Sequence, residues 1–455
     1  LTTSLGDALE WLDRHVNLEA IVAGRSQRKP SLERIRALVG AMGDPQASYP
    51  VLHVTGTNGK GSTVRMATAL LAADGLSVGT YTSPHLERLN ERIAWNGDPI
   101  PDDALAEVLS ALRDLEPFAA SLAATSLPAT SLSGGGAGLQ GLSWFELMTA
   151  AAYRWFSDVA VEAAVVEVGL GGRFDATNVA DGAVAAVTNV DLDHTELLGP
   201  TREDVAREKA GIVKKGSVVV LGETDPALAA IFEAEAALVG AGEIWRRDRD
   251  FGCEANRLAH GGRLLDLRTP AAAYDEVYLP MAGAHQGDNA AVAVAAVEAF
   301  FGVPLSEEVV HEAFRNVTVP GRMEVVGRRP LVVLDGAHNA AGARVAGETL
   351  AEDFAGVGRI VVVMGCLRGR DPADMLQGLR DSRVVRVVAC PAPSARGMGA
   401  EEVAGAARSA GLEAEAAPSV AEGLEAAIAL AGPEDLVLVT GSLYVVGAAR
   451  SLLRR

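Results

Sequence analysis

Lys60 stands in the run Val51-Leu52-His53-Val54-Thr55-Gly56-Thr57-Asn58-Gly59-Lys60-Gly61-Ser62-Thr63, where an apolar stretch ends in small residues, glycines and a single lysine. Ala- and Leu-rich helical sequence follows from 64 to 73. A strand, a glycine loop and a helix start together make an anion cradle. Backbone N–H groups and the helix dipole point at a phosphate, glycines let the backbone approach it, and the lysine adds a point charge. The strict P-loop pattern puts four residues between its first glycine and the Gly-Lys pair. Only Thr57 and Asn58 stand between Gly56 and Gly59-Lys60, so that pattern fails. A strand meeting a helix at a plain glycine turn is the competing reading.

Glu167, His194 and Ser83 are oxygen and nitrogen donors of the kind that could hold Mg²⁺ beside a triphosphate. Magnesium keeps several waters and takes few protein ligands plus phosphate oxygens. Histidine is an uncommon magnesium ligand, so the argument is stronger for Glu167 than for His194. The ordinary readings are a capped strand end for Glu167 and a hydrogen-bonded loop histidine for His194. Lys209, beside Arg207 and Glu208, reads as a solvated, ion-paired lysine. Arg322 suits a phosphate and Asp335 a ribose or an amine; a linker salt bridge and a strand cap are the plainer readings. Phe145 reads as a core residue of its helix.

The elements that must position these residues alternate between strand and helix. Amphipathic helices are expected over 5–16, capped by Ser4 or Thr3, and from Ser31 through Val39, with a polar loop at 25–30 between them. Residues 77–81 read as a strand ending at Thr82-Ser83-Pro84-His85, and 102–116 as a helix. Residues 119–142 are almost wholly Ala, Ser, Thr, Leu and Gly and read as a mobile insertion. A helix resumes over 144–156. Apolar runs at 163–168 and 183–190 read as parallel strands ending at Glu167 and at Asp193-His194. A helix is expected over 201–214, a mixed β-rich segment over 217–280, and a helix over 290–301 opened by residues 283–289. The pattern then restarts, with strands at 331–334, 360–364, 384–389 and 436–439. In open α/β sheets ligands bind beyond the carboxyl ends of the strands, and Lys60 with Ser62, Ser83, Glu167 and Asp193-His194 all fall there. The fold class is α/β: an N-terminal P-loop-type doubly wound parallel sheet domain over 1–317 and a smaller C-terminal Rossmann-like α/β domain over 318–455.

The 455 residues allow two or three domains. A formal charge of -19 argues against a nucleic-acid surface. Three widely spaced cysteines without a CxxC pair suggest a reducing compartment and no zinc site. No apolar run approaches the roughly 20 residues of a bilayer span. These features predict a cytosolic protein with no membrane or nucleic-acid partner.

The ordered motifs resemble the Mur ligase superfamily and, within it, the folylpolyglutamate synthase/dihydrofolate synthase family. The matching pieces are Ser31-Leu32-Glu33-Arg34-Ile35, Thr55 to Ser62, Thr82-Ser83-Pro84-His85-Leu86 with Glu91-Arg92-Ile93, and Trp144-Phe145-Glu146. Glu167 to Arg173 with Asp175-Ala176-Thr177-Asn178, Asp193-His194-Thr195 and Arg207-Glu208-Lys209-Ala210-Gly211-Ile212 follow. His285-Gln286 with Asn289, Pro320-Gly321-Arg322, Asp335-Gly336-Ala337-His338-Asn339 and Gly441-Ser442-Leu443-Tyr444 complete the series. Ala340-Ala341 stands where the family usually has Pro-His, and the Ala/Ser/Gly insertion is longer than expected.

The resemblance implies an ATP-dependent ligase joining L-glutamate to a folate or dihydropteroate carboxylate through an acyl phosphate, with ATP and Mg²⁺ as cofactors. It places ATP on Gly56, Thr57, Asn58, Gly59, Lys60, Gly61 and Ser62, with Asn289, Arg322 and Asp335. It assigns magnesium to Ser83, Glu167 and His194, and to Lys209 once carbamylated, against that lysine's ordinary reading. It gives Phe145, Asp175 and Ala176 to the pterin pocket and His338 and Ser442 to the incoming glutamate. Lys60, Lys209, Asp335 and His338 would serve the reaction itself. The 1–317 domain would bind ATP and folate, and 318–455 would be the glutamate-ligase domain. A monomer is expected. The rivals are a cell-wall Mur ligase, which usually carries a UDP-sugar domain where about fifty residues precede the loop here, and a nucleotide-binding protein without catalysis.

Overall fold

β1 (Val51–Thr55) is wholly buried and delivers the glycine loop at its carboxyl end. The computed structural model describes residues 4–17, 19, 31–126, 141–379 and 383–454. The polar loop expected at 25–30 and most of the expected insertion lie outside the described residues. Further strands of the first body are β2 (Val78–Tyr81), β3 (Ile93–Trp95), β4 (Asp98–Pro99), β5 (Ala163–Glu167), β6 (Gly182–Val187), β7 (Val218–Leu221) and β8 (Ile244–Arg246). They form one sheet in the order β4-β3-β2-β5-β1-β6-β7-β8. β2, β5, β1, β6, β7 and β8 run parallel, and β3 and β4 extend one edge antiparallel. Continuous Val and Ala runs suit strands covered on both faces. Helices Lys60–Ala73 and His285–Phe301 pack one face, and helices Leu5–Leu12, Glu33–Ala41 and Trp144–Asp158 the other.

The segment read as β-rich but without a layout is an antiparallel three-stranded sheet of β9 (Gly252–Ala259), β10 (Gly262–Arg268) and β11 (Ala273–Leu279). The second body carries β12 (Glu324–Arg328), β13 (Leu331–Leu334), β14 (Ile360–Met364), β15 (Val384–Ala389), β16 (Glu413–Ala416) and β17 (Leu436–Thr440). Its order is β12-β13-β17-β14-β15-β16, parallel except for β12.

Several expected boundaries move for local reasons. The first helix ends at Leu12, not 16, because His15 Nδ1 lies 3.1 Å from the Trp11 carbonyl and 3.2 Å from that of Leu12, capping the last turn. Ser4 is its cap, accepting from the Asp7 N–H at 3.2 Å. Helix Asp102–Ser126 passes through Pro117 and runs into the expected insertion, since Ala- and Leu-rich sequence supports a helix whose proline costs a single turn. The strand expected to 190 stops at Val187, and residues 188–194 leave the sheet to wrap the glycine loop. The helix expected over 201–214 is Arg202–Ala210, opened by a Thr201–Asp204 capping box.

Candidate active site

The glycine loop is held by the segment that leaves β6. The Thr57 N–H donates to the Asn189 carbonyl at 3.0 Å, the Asn58 N–H to Asn189 Oδ1 at 3.0 Å, and Thr188 Oγ1 to the Asn58 carbonyl at 2.6 Å. Gly59 has φ +84, and a Cβ there would collide with Asn289, so glycine is required on both counts. Asn289 is itself fixed, donating from Nδ2 to Gln286 Oε1 at 2.9 Å. Lys60 opens helix Lys60–Ala73 and its ammonium folds over the loop, donating to the Gly56 and Thr57 carbonyls at 2.9 and 3.2 Å. A cleft of about 460 Å³ opens here, lined by the whole loop and by residues of both bodies.

Ser83, Glu167, His194 and Lys209 all line that cleft. Glu167 ends β5, is buried, and accepts from the Ser83 N–H at 3.2 Å. Burial raises its carboxyl above the usual range, with Lys60 opposing. Lys209 is only 3% exposed, and among the described residues no hydrogen bond or ion pair holds its ammonium. Burial first and Lys60 second hold it well below the ordinary lysine value. The solvated, ion-paired reading of this lysine is therefore wrong: its helix turns Lys209 inward while Arg207 pairs with Asp204 outside. His194 sits at φ 49 at the start of a short helix, and its Nε2 accepts from Arg370 at 3.2 Å.

Glu167, His194 and Ser83 bring a carboxylate, an imidazole and a hydroxyl to the lining of one cleft, donor types that magnesium can take beside phosphate oxygens and water. Among the described residues no three His, Cys, Asp or Glu side chains gather as a closed metal cage. A metal on His194 Nε2 requires Arg370 to move off that nitrogen.

The second body contributes the opposite wall. Arg322, Asp335 and His338 line the cleft. Asp335 follows β13 and accepts from the Met323 and Ala337 N–H groups at 3.1 and 2.9 Å; burial raises its carboxyl and Arg322 opposes. Gly336 leaves space for Arg322, whose Nη1 lies 2.6 Å from where a Cβ would stand. His338 Nδ1 faces the Gly336 carbonyl at 2.9 Å. A carbonyl only accepts, so Nδ1 carries the proton and Nε2 keeps its lone pair. Burial lowers this imidazole to about 4.

The remaining residues fall outside the cleft lining. Ser442 is buried and caps helix Leu443–Leu453, its hydroxyl accepting from the Val445 N–H at 3.3 Å; its neighbour Leu443 reaches the cleft. Asp175 accepts from the Leu170 N–H at 2.9 Å and the Thr177 N–H at 3.0 Å, which shapes the loop after β5. Ala176 packs in the core beside it. Phe145 approaches this loop, its Cζ 2.5 Å from where a Cβ on Gly169 would stand. Two functional-looking residues escaped the sequence reading. Arg370 pairs with Asp193 from the second body, and Asn339 Nδ2 lies 3.2 Å from the other Asp193 oxygen. The Arg368-Gly369-Arg370-Asp371 run after β14 was the available signal.

The Mur ligase middle domain family matches residues 147–297, and the Mur ligase glutamate ligase domain family matches 321–443. The chain is 36% identical to the dihydrofolate synthase/folylpolyglutamate synthase of Mycobacterium tuberculosis, over 94% of this chain and 90% of that protein. It belongs to the folylpolyglutamate synthase/dihydrofolate synthase family. The solved M. tuberculosis folylpolyglutamate synthase complexed with ADP is 34% identical, with a TM-score of 0.90 over 99% of this chain and 98% of that one. The bifunctional synthase of Yersinia pestis, solved with AMPPNP and a manganese ion, is 30% identical with a TM-score of 0.81, covering 100% and 99% of the two chains. Family membership removes the cell-wall rival, and the α/β fold agrees across these neighbours. Among the described residues no helix is long and apolar enough to cross a membrane.

Proposed function

We propose that this chain is an ATP-dependent ligase that joins L-glutamate to the carboxylate of dihydropteroate, of a reduced folate, or of both. The observation that carries this reading is one cleft that unites the glycine loop after β1 with Asp335 and His338 after β13. The substrate carboxylate attacks the γ-phosphorus of ATP, the bond to the β-γ bridging oxygen breaks, and ADP leaves an acyl phosphate. The glutamate amine then attacks the acyl carbon, phosphate leaves, and one ammonium proton is released. Lys60 and the loop N–H groups stabilise charge on the transferring phosphoryl group. His338 Nε2, unprotonated at neutral pH, is placed to orient the amine and accept its proton. Asn289, Arg322 and Asp335 hold the nucleotide, and closing the two bodies excludes water from the acyl phosphate.

Ser83, Glu167 and, once Arg370 leaves its Nε2, His194 would hold Mg²⁺, which would offset phosphate charge. Lys209, unpaired among the described residues and held neutral by burial, suits attack on carbon dioxide with loss of a proton, and the carbamate anion would help hold a second magnesium. Phe145, with Asp175 and Ala176 shaping its surroundings, forms the pterin end, and Ser442 holds the segment facing glutamate. We set the domain boundary at 317/318, between the last helix under the first sheet and β12. The three thiols are unpaired, which supports a reducing, cytosolic setting, and we assign a monomer.

The test supplies purified protein with Mg-ATP and L-glutamate, offers dihydropteroate and tetrahydrofolate separately, and reads phosphate release and product mass. Glutamate-dependent product from either supports the reading and names the step. Nucleotide binding without product from either overturns it.

A further inference from the structure

We infer that Asp193 is a positioning residue of this ligase: one carboxylate of the first body on which three side chains of the second body converge at the mouth of the cleft. The inference rests on the ligase reading above. Asp193 lies in the segment that leaves β6, with its side chain 10% exposed. Arg370 pairs with Oδ1. Asn339 donates from Nδ2 to Oδ2 at 3.2 Å, and His338 Nε2 stands 3.9 Å from the same oxygen. The network continues on both sides. Arg370 also donates to His194 Nε2, and Asn339 Nδ2 lies 3.3 Å from Asn58 Oδ1 in the glycine loop.

Asp193 is thus the point at which the second body's glutamate-facing residues are registered against the phosphate loop and His194. A charged guanidinium–carboxylate contact sheltered from water sets direction as well as attraction. Other ion pairs join the same two bodies. Arg263 of β10 is fully buried on Glu352 and Asp353, and Arg450, which also pairs with Glu324 within the second body, reaches Glu87 of the first. None of those partners lines the cleft, whereas Asp193, His194, His338 and Asn58 do. Arg370 does not line it either and acts through Asp193.

The experiment compares wild type, Asp193→Asn, Arg370→Gln, Arg370→Lys, the Asp193→Asn/Arg370→Gln double variant and Arg450→Gln. It measures kcat and the glutamate KM, and titrates Mg-ADP calorimetrically without turnover. Asp193→Asn and Arg370→Gln are expected to raise the glutamate KM about 10-fold or more and lower kcat, while Mg-ADP affinity changes less than about 3-fold. The double variant is expected to be no worse than the poorer single one, because both break one contact. Arg370→Lys is expected to recover part of kcat/KM, and Arg450→Gln to lower Tm without moving the glutamate KM. A glutamate KM unchanged in Asp193→Asn, losses that multiply in the double variant, or an equal KM rise in Arg450→Gln would each overturn the inference. If Asp193→Asn does not fold, the two Arg370 variants decide: recovery by lysine over glutamine supports positioning, and equal loss overturns it. A wild type that binds Mg-ADP but ligates nothing overturns the ligase reading instead.

Discussion

An amine buried beside a second amine must give up its proton or find a carboxylate, and Lys209 feels Lys60 more strongly than it feels Asp193 or Asp175. A buried ammonium without a partner is costly, so the neutral form prevails. Two outcomes follow for substitution. Lys209→Met keeps the volume and removes the polar head, so Tm is expected to hold or rise while ligation falls on the order of 100-fold. Calorimetry and the ligation assay read these together, and a lowered Tm with activity intact would reject the role given to this lysine. Protein equilibrated with ¹³C-bicarbonate is expected to show a carbamate carbon signal that Lys209→Met lacks. Nothing in the local run Arg207-Glu208-Lys209 could show this. Which of three adjacent charged residues faces inward depends on how helix Arg202–Ala210 is rotated against the sheet, and only tertiary packing sets that rotation. Glu167 and Lys60 were readable because a strand end or a helix start fixes where they point.

The same distinction holds for elements. The strands Leu331–Leu334 and Ile360–Met364 stand where continuous apolar runs place them, because a strand covered on both faces needs only that composition, and Val384–Ala389 keeps its expected place although Arg386 interrupts its apolar run. β9 to β11 were not resolvable as three strands, since charged residues interrupt their apolar pattern, Arg263 of β10 among them although it is buried, and their pairing is a tertiary matter. Asp193 was placed at its strand end, but its pairing with Arg370 escaped for a related reason: 177 positions separate them, and no spacing rule spans that interval. The loop after β5 is another place where two distant elements meet. Phe145, on helix Trp144–Asp158, lies against Gly169 with no room for a side chain. Gly169→Ala is expected to push the ring aside and raise the KM for the pterin substrate about 10-fold, leaving the ATP KM within about 2-fold. Steady-state kinetics with each substrate varied in turn will show it; a change confined to ATP would remove Phe145 from the pterin pocket.

Across the whole molecule, three histidines stay neutral in the fold far below their ordinary value. His53 is lowered to about 3 and His285 and His338 to about 4, in each case mainly by burial. Below the unfolded value of 6.5 the unfolded chain binds more protons at these sites, so their contribution to stability falls as pH falls from 6.5 toward 4. Raised Glu167, Asp175 and Asp335 act in the opposite sense, since their folded carboxyls keep protons that the unfolded chain releases as pH rises. A single substitution isolates one histidine. With His53→Gln, the acid side of the stability curve is expected to flatten by about 1.4 kcal/mol per pH unit between pH 6 and 4. Denaturant unfolding across that range measures it, and parallel curves for the two proteins would reject a neutral His53.

Among the described residues β17 is the last strand in the chain order and a middle strand of its sheet, lying between β13 and β14. During synthesis the second body therefore waits, in two separated halves, for its final wedge. A chain that stops before residue 436 would leave the apolar edges of β13 and β14, four and five residues long, without the strand that pairs with both, a template for aggregation. A chain ending at residue 435 is expected to pellet or be digested where the full chain survives, and sedimentation with limited proteolysis will tell. The strand order thus makes completion of the chain a condition of closure: a prematurely terminated body is expected not to close around its missing centre.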